Sequence, residues 1–169
     1  MIIDGRFNGG GLDPEIFFQR LLKKPHGYWT RRYSADQPIP ALAVNAHMAC
    51  LTNRYAGSGG DELPYEFKWN KMGPVIGTRT WGGLVGVSMF IELIDGSGLT
   101  ASDYRIYDEN GNWVVENMGV EPDIVVEQKS EEMARGYDAQ LMKVVEVLMK
   151  KIKDEPRPFP KHGSYPVDK

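Results

Sequence analysis

The sequence predicts an α/β domain: a largely parallel sheet with flanking helices, followed by an antiparallel extension and a C-terminal helix. Three observations lead there. A strand, a glycine-rich turn and a helix follow one another twice within the first 71 residues. The next segment carries short strand patterns and a hairpin signal, and an apolar stripe at helical spacing runs near the C-terminus. Repeated strand–turn–helix units favour parallel pairing through right-handed crossovers. With 169 residues, 41% hydrophobic and 25% charged, the chain has the composition of one soluble globular domain large enough to bury a core.

Each element has its own signal. Met1 to Asp4 is a short apolar strand that runs at once into the turn Asn8-Gly9-Gly10-Gly11. No polar arm precedes it, which raises the expectation of a missing upstream segment. Asp13 followed by Pro14 signals a helix start, and Ile16, Phe17, Phe18 and Leu21 form the stripe of a helix over 14–23. Residues 25–40 hold three prolines, Arg31-Arg32 and the aromatics His26, Tyr28, Trp29 and Tyr33, and read as a surface excursion of the kind that lines clefts. Residues 41–53 are small and apolar, as in a strand buried on both faces. The turn Ala56 to Asp61 then leads into a helix over about 61–71 carrying Leu63, Phe67 and Trp69, and a third strand spans 74–80.

In the second half, 85–94, 104–108 and 113–116 read as short strands, the last two joined through Asn110-Gly111, a hairpin signal. Leu141, Val144, Val145, Leu148 and Ile152, with Lys143, Glu146, Lys150 and Lys151 between them, predict an amphipathic helix over 138–153. Four prolines after Asp154 mark an extended tail, so the expected division is a core at 1–153 and a Pro-rich tail at 154–169.

Composition excludes several functions. A net charge of −3 gives no basis for a nucleic-acid or anionic-membrane partner. The single cysteine, Cys50, cannot make an internal disulfide or a multi-cysteine metal site, and no metal or cofactor is expected. No apolar run has the roughly 18–20 residues of a spanning helix, and the N-terminus lacks a signal-peptide pattern. Compartment stays open between cytoplasm and periplasm. Neither glycine turn carries the Lys-Ser/Thr of a P-loop or the GxGxxG spacing, which argues against a nucleotide.

The second turn differs from the first in holding a nucleophile at its apex. Ser58 lies between Gly57 and Gly59, after a buried strand and before a helix, the layout of a nucleophile elbow without the full GxSxG pattern. There its hydroxyl is exposed and the Gly59 N–H points where an oxyanion forms. Taken alone, Ser58 also fits an ordinary turn serine.

Four runs in order, IIDGRFNGGG, LTNRYAGSGGDELPYEF, IGTRTWGGLVG and ENMGVEPD, resemble the catalytic core of the tail-specific and tricorn-type serine peptidases over residues 2–123. The resemblance implies the architecture shared by ClpP and crotonase enzymes, with Ser58 as nucleophile and an oxyanion hole made by the Gly59 amide and that of Gly10 or Gly11. It also implies a peptide or protein substrate. Gly83 stands where the Ser-Lys branch carries its lysine, so the chain is more similar to the tricorn branch, in which a histidine activates the serine and a glutamate, here Glu116, supports it. That family's histidine lies in an upstream subdomain, and none of His26, His47 or His162 matches its position. The resemblance therefore implies an upstream partner segment supplying the base, a nearly inactive isolated chain, and a ring-forming homo-oligomer. Two other readings stay open: a non-catalytic module of the kind found in retinoid-binding relatives, and an acyl-CoA enzyme of the crotonase type.

Overall fold

The computed structural model describes residues 1–11, 14–165 and 167. In chain order the first elements are β1 (Ile2–Asp4), α1 (Glu15–Leu21), β2 (Gly27–Arg31), β3 (Ser34–Ile39), β4 (Ala49–Thr52), α2 (Gly59–Trp69) and β5 (Val75–Gly77). There follow β6 (Met89–Glu92), β7 (Gly98–Ala101), β8 (Ile124–Val125), α3 (Ser130–Ala134) and α4 (Ala139–Asp154). The expected helix-start residue Asp13 lies outside the described residues.

The central sheet has the order β1-β4-β5-β8 and every pairing is parallel. Ile3 stands opposite Cys50, Cys50 opposite Val75, and Ile76 opposite Ile124. Side chains alternate across a strand, so the register sorts β4 into two faces. Cys50 packs with Ile3, Val75, Phe18, Leu21 and Phe67, which come from β1, β5, α1 and α2. Ala49 and Leu51 pack with Ile76, Val144 and Leu148 on the α4 side. Both faces of the sheet are therefore covered, which is why β4 is buried throughout. Full burial of Phe67 or Phe18 stabilises the fold by about 1.5–3 kcal/mol each. Burial also pushes the Cys50 thiol up to about 12, with the nearby Asp4 charge adding to it, so this cysteine is a core residue.

The end of β1 is tied to the start of α4. Asp138 caps α4 by accepting from the Leu141 N–H at 2.9 Å, and Arg6 reaches Asp138 at 2.8 Å while also pairing with Asp4 at 2.8 Å. Among the described residues, no helix is long and apolar enough to cross a membrane.

Several expected boundaries move. Residues 25–40 form a β2–β3 hairpin rather than an irregular excursion: strands facing solvent carry no apolar run, so their alternation is hidden. The strand expected over 41–53 is confined to Ala49–Thr52, because only there do neighbours exist on both sides. In the second half β6 pairs with β7 around the turn near Gly96, whereas 104–108 and 113–116 share only one isolated bridge, Tyr107 with Trp113. Both β8 and α3 are elements of five residues or fewer, too short to show a period.

Candidate active site

The sheet's carboxyl end, where parallel sheets place their sites, carries both glycine turns. Ser58 sits between β4 and α2 with φ 55° and ψ −122°, outside the regions open to ordinary L residues. Its neighbours hold it there. The Ser58 N–H donates to the Gly83 carbonyl at 2.9 Å, and the Ser58 carbonyl accepts from Asp61 N–H at 2.8 Å and Glu62 N–H at 3.0 Å. The Gly57 N–H donates to the Asn8 carbonyl at 2.9 Å, which joins the two turns.

Two glycines make that junction possible. A Cβ on Gly60 would lie 2.0 Å from the Asn8 carbonyl oxygen, so only glycine lets α2 start against the first turn. A Cβ on Gly10 would lie 2.5 Å from Ser58 Cβ and 3.0 Å from Ser58 Oγ, and Gly10 also has φ +105°. The first turn thus passes directly over the half-buried Ser58 side chain. The Gly10 N–H itself is engaged, donating to Asn8 Oδ1 at 3.0 Å. Among the described residues, the amides of Gly11 and Gly59 donate to no protein acceptor.

Glu116 is tied to the loop that holds Ser58. Its Oε2 accepts from the Leu84 N–H at 2.6 Å and the Val85 N–H at 2.8 Å, next to the Gly83 carbonyl that holds Ser58. Gly83, at the expected lysine position, offers no base. The three histidines lie elsewhere in the fold. His47 is buried before β4, at the sheet's opposite end, and its Nε2 donates to the Glu155 carbonyl at 2.7 Å. His26 is exposed at the start of the β2–β3 hairpin, and His162 lies in the tail with its ring 5.0 Å from Tyr165. In the aromatic segment read as a surface excursion, Tyr28 lies edge-on to Phe159 of the tail at 5.2 Å, and Trp29 and Tyr33 are exposed.

Sequence reasoning passed over two features of the site. Asp61 is fully buried and its carboxylate accepts from Gly82 and Gly83 N–H groups at 2.8 and 3.2 Å. The spacing Ser58-x-x-Asp61 is a helix-start signature and could have flagged it. Phe7 and Tyr55, both exposed, stack at 5.5 Å because Asn53 Oδ1 accepts both of their N–H groups at 3.1 Å. They border a cavity of about 370 Å³ that also includes Arg54, Glu127 and Met133. A larger cavity of about 470 Å³ between α1 and α2 contains none of the expected site residues.

Comparison with known proteins agrees with this arrangement. The profile of peptidase family S41 matches residues 1–126. The tricorn protease of Thermoplasma volcanium is 40% identical over 149 residues, covering 88% of this chain and 14% of that protein. The tricorn protease of Thermoplasma acidophilum is 35% identical over 164 residues, covering 97% and 15%. A crystal structure of the tricorn protease superposes with TM-score 0.85 at 36% identity, covering 90% of this chain and 15% of that one. The chain therefore spans about one-seventh of the length of these relatives.

Proposed function

The chain belongs to peptidase family S41, and from that we propose that it is a serine-peptidase core that cleaves peptide bonds through an acyl-enzyme on Ser58. The observation that carries the reading is the junction of the two turns: a strained serine with Gly10 packed on its side chain, followed directly by Gly59, whose amide, like that of Gly11 in the first turn, donates to no protein acceptor among the described residues. In the reaction Ser58 Oγ attacks the scissile carbonyl and its proton passes to a base. The carbonyl oxygen gains negative charge and accepts from the Gly59 and Gly11 N–H groups; breaking the C–N bond then returns the proton to the leaving amine. Gly10 supplies space rather than a donor, since its own amide is held by Asn8. Glu116 acts through the 82–85 loop that carries the Ser58 partner.

The base is supplied from outside these 169 residues, by an upstream histidine-bearing segment: the His47 ring donates to the Glu155 carbonyl, His162 lies in the tail and His26 is exposed at the start of the β2–β3 hairpin. Residues 1–153 form the core of this activity, and the similarity to tricorn proteases supports a homo-oligomeric assembly. Labelling with a fluorophosphonate tests the reading. The isolated chain is expected to react slowly, faster with imidazole as an external base, and not at all as Ser58→Ala. Rapid stoichiometric labelling without imidazole would show that a base is already present in the chain.

A further inference from the structure

Asp61 is a carboxylate with no exposed surface, in the first turn of α2. Burying a charge is costly unless hydrogen bonds and dipoles compensate it. Here the compensation is specific. Asp61 Oδ1 accepts from Gly82 N–H, Oδ2 accepts from Gly83 N–H, and the positive end of the 11-residue helix α2 adds to both.

These bonds close a ring around the serine. The Ser58 N–H donates to the Gly83 carbonyl, the Gly83 N–H donates to the Asp61 carboxylate, and the Asp61 N–H donates to the Ser58 carbonyl. The ring also continues outward. Leu84 and Val85 donate to Glu116, so four consecutive amides, 82 to 85, each donate to a carboxylate oxygen. A residue in Ser58's conformation persists only where its surroundings over-determine it, and this ring is what surrounds it.

We propose that Asp61 is the positioning residue of the Ser58 turn: its carboxylate, through the Gly82 and Gly83 amides, holds the Gly83 carbonyl on the Ser58 N–H and keeps the hydroxyl aimed at the substrate carbonyl. This rests on the reading of Ser58 as nucleophile. An acid that merely stabilises the helix start would change melting temperature alone. A positioning residue also changes the reactivity of each folded molecule.

The test compares the full chain with Asp61→Asn by fluorophosphonate labelling in the presence of imidazole, by thermal melting and by NMR hydrogen exchange. The amide of an asparagine turns a donor on one of the two glycine N–H groups. Labelling per folded molecule is expected to slow by about tenfold or more, and the Ser58 and Gly83 amides are expected to exchange faster by a common factor. An unchanged labelling rate, or a Gly83 amide that loosens while Ser58 stays protected, overturns the proposal. If Asp61→Asn does not fold, exchange in the unaltered chain decides: one common rate for the Ser58, Gly82 and Gly83 amides supports the ring, and three unrelated rates overturn it. Label that survives Ser58→Ala overturns the nucleophile reading instead, and is recognised separately because the exchange data involve no reaction.

Discussion

A serine at φ 55° and ψ −122° carries about 1–3 kcal/mol of backbone strain, which glycine does not. Ser58→Gly is therefore expected to stabilise the chain by about 1 kcal/mol, after subtracting the larger entropy glycine loses on folding, and to raise the melting temperature by about 2–4 °C. A fall in melting temperature would mean that the serine side chain stabilises the turn. The opposite outcome is expected at Gly10, where a methyl group would press on Ser58 Cβ from 2.5 Å. Gly10→Ala should destabilise by about 1–3 kcal/mol and slow labelling of Ser58, both readable on one sample. At this scale Ser58 and the glycines were visible in the sequence, because glycines clustered around a serine announce special backbone. Asp61 was not, because the sequence does not show whether an acid at a helix start faces water or a neighbouring loop.

Among the elements, β4 is squeezed between α2 and α4, and its two faces make separate predictions. Phe67→Ala on the α2 side is expected to cost about 3–5 kcal/mol, and Leu148→Ala on the α4 side about 2–5 kcal/mol, both measured by urea unfolding. A negligible cost for Leu148 would show that α4 is not docked on the sheet. The join between β1 and α4 adds a pH dependence. Burial works to raise the Asp4 carboxyl, but the hydrogen bonds and charge of Arg6 outweigh it and hold Asp4 below the usual carboxylate range. A lowered folded value means that the stabilisation is present above the unfolded value and is lost as pH falls through the folded one. Asp4→Asn should therefore flatten the acid limb of stability below about pH 4. The effect will be small, because the Asp4 side chain is 47% exposed. Helices with a long apolar stripe, such as α4, and strands buried on both faces were legible in the sequence. The β2–β3 hairpin and β7 were missed because their apolar residues, among them Trp29 and Leu99, face solvent and carry no inward period.

At the scale of the whole molecule, the parallel sheet gathers the ends of β1, β4 and β5 at its carboxyl end, and that convergence joins turns roughly 50 residues apart in the chain into one site. The order of the motifs carried this much, since the first three run from β1, β4 and β5 into the turns that follow them. What the order could not carry was the destination of each side chain: Glu116 on loop amides, the Tyr28 hairpin on the tail, His47 at the far end of the sheet. The most direct test of the central claim is a crystal structure of the Ser58 phosphonate adduct. The account expects the phosphoryl oxygen to accept hydrogen bonds of about 2.7–3.1 Å from the Gly59 and Gly11 amides together. An oxygen turned to solvent, with both amides beyond hydrogen-bond reach, would contradict it.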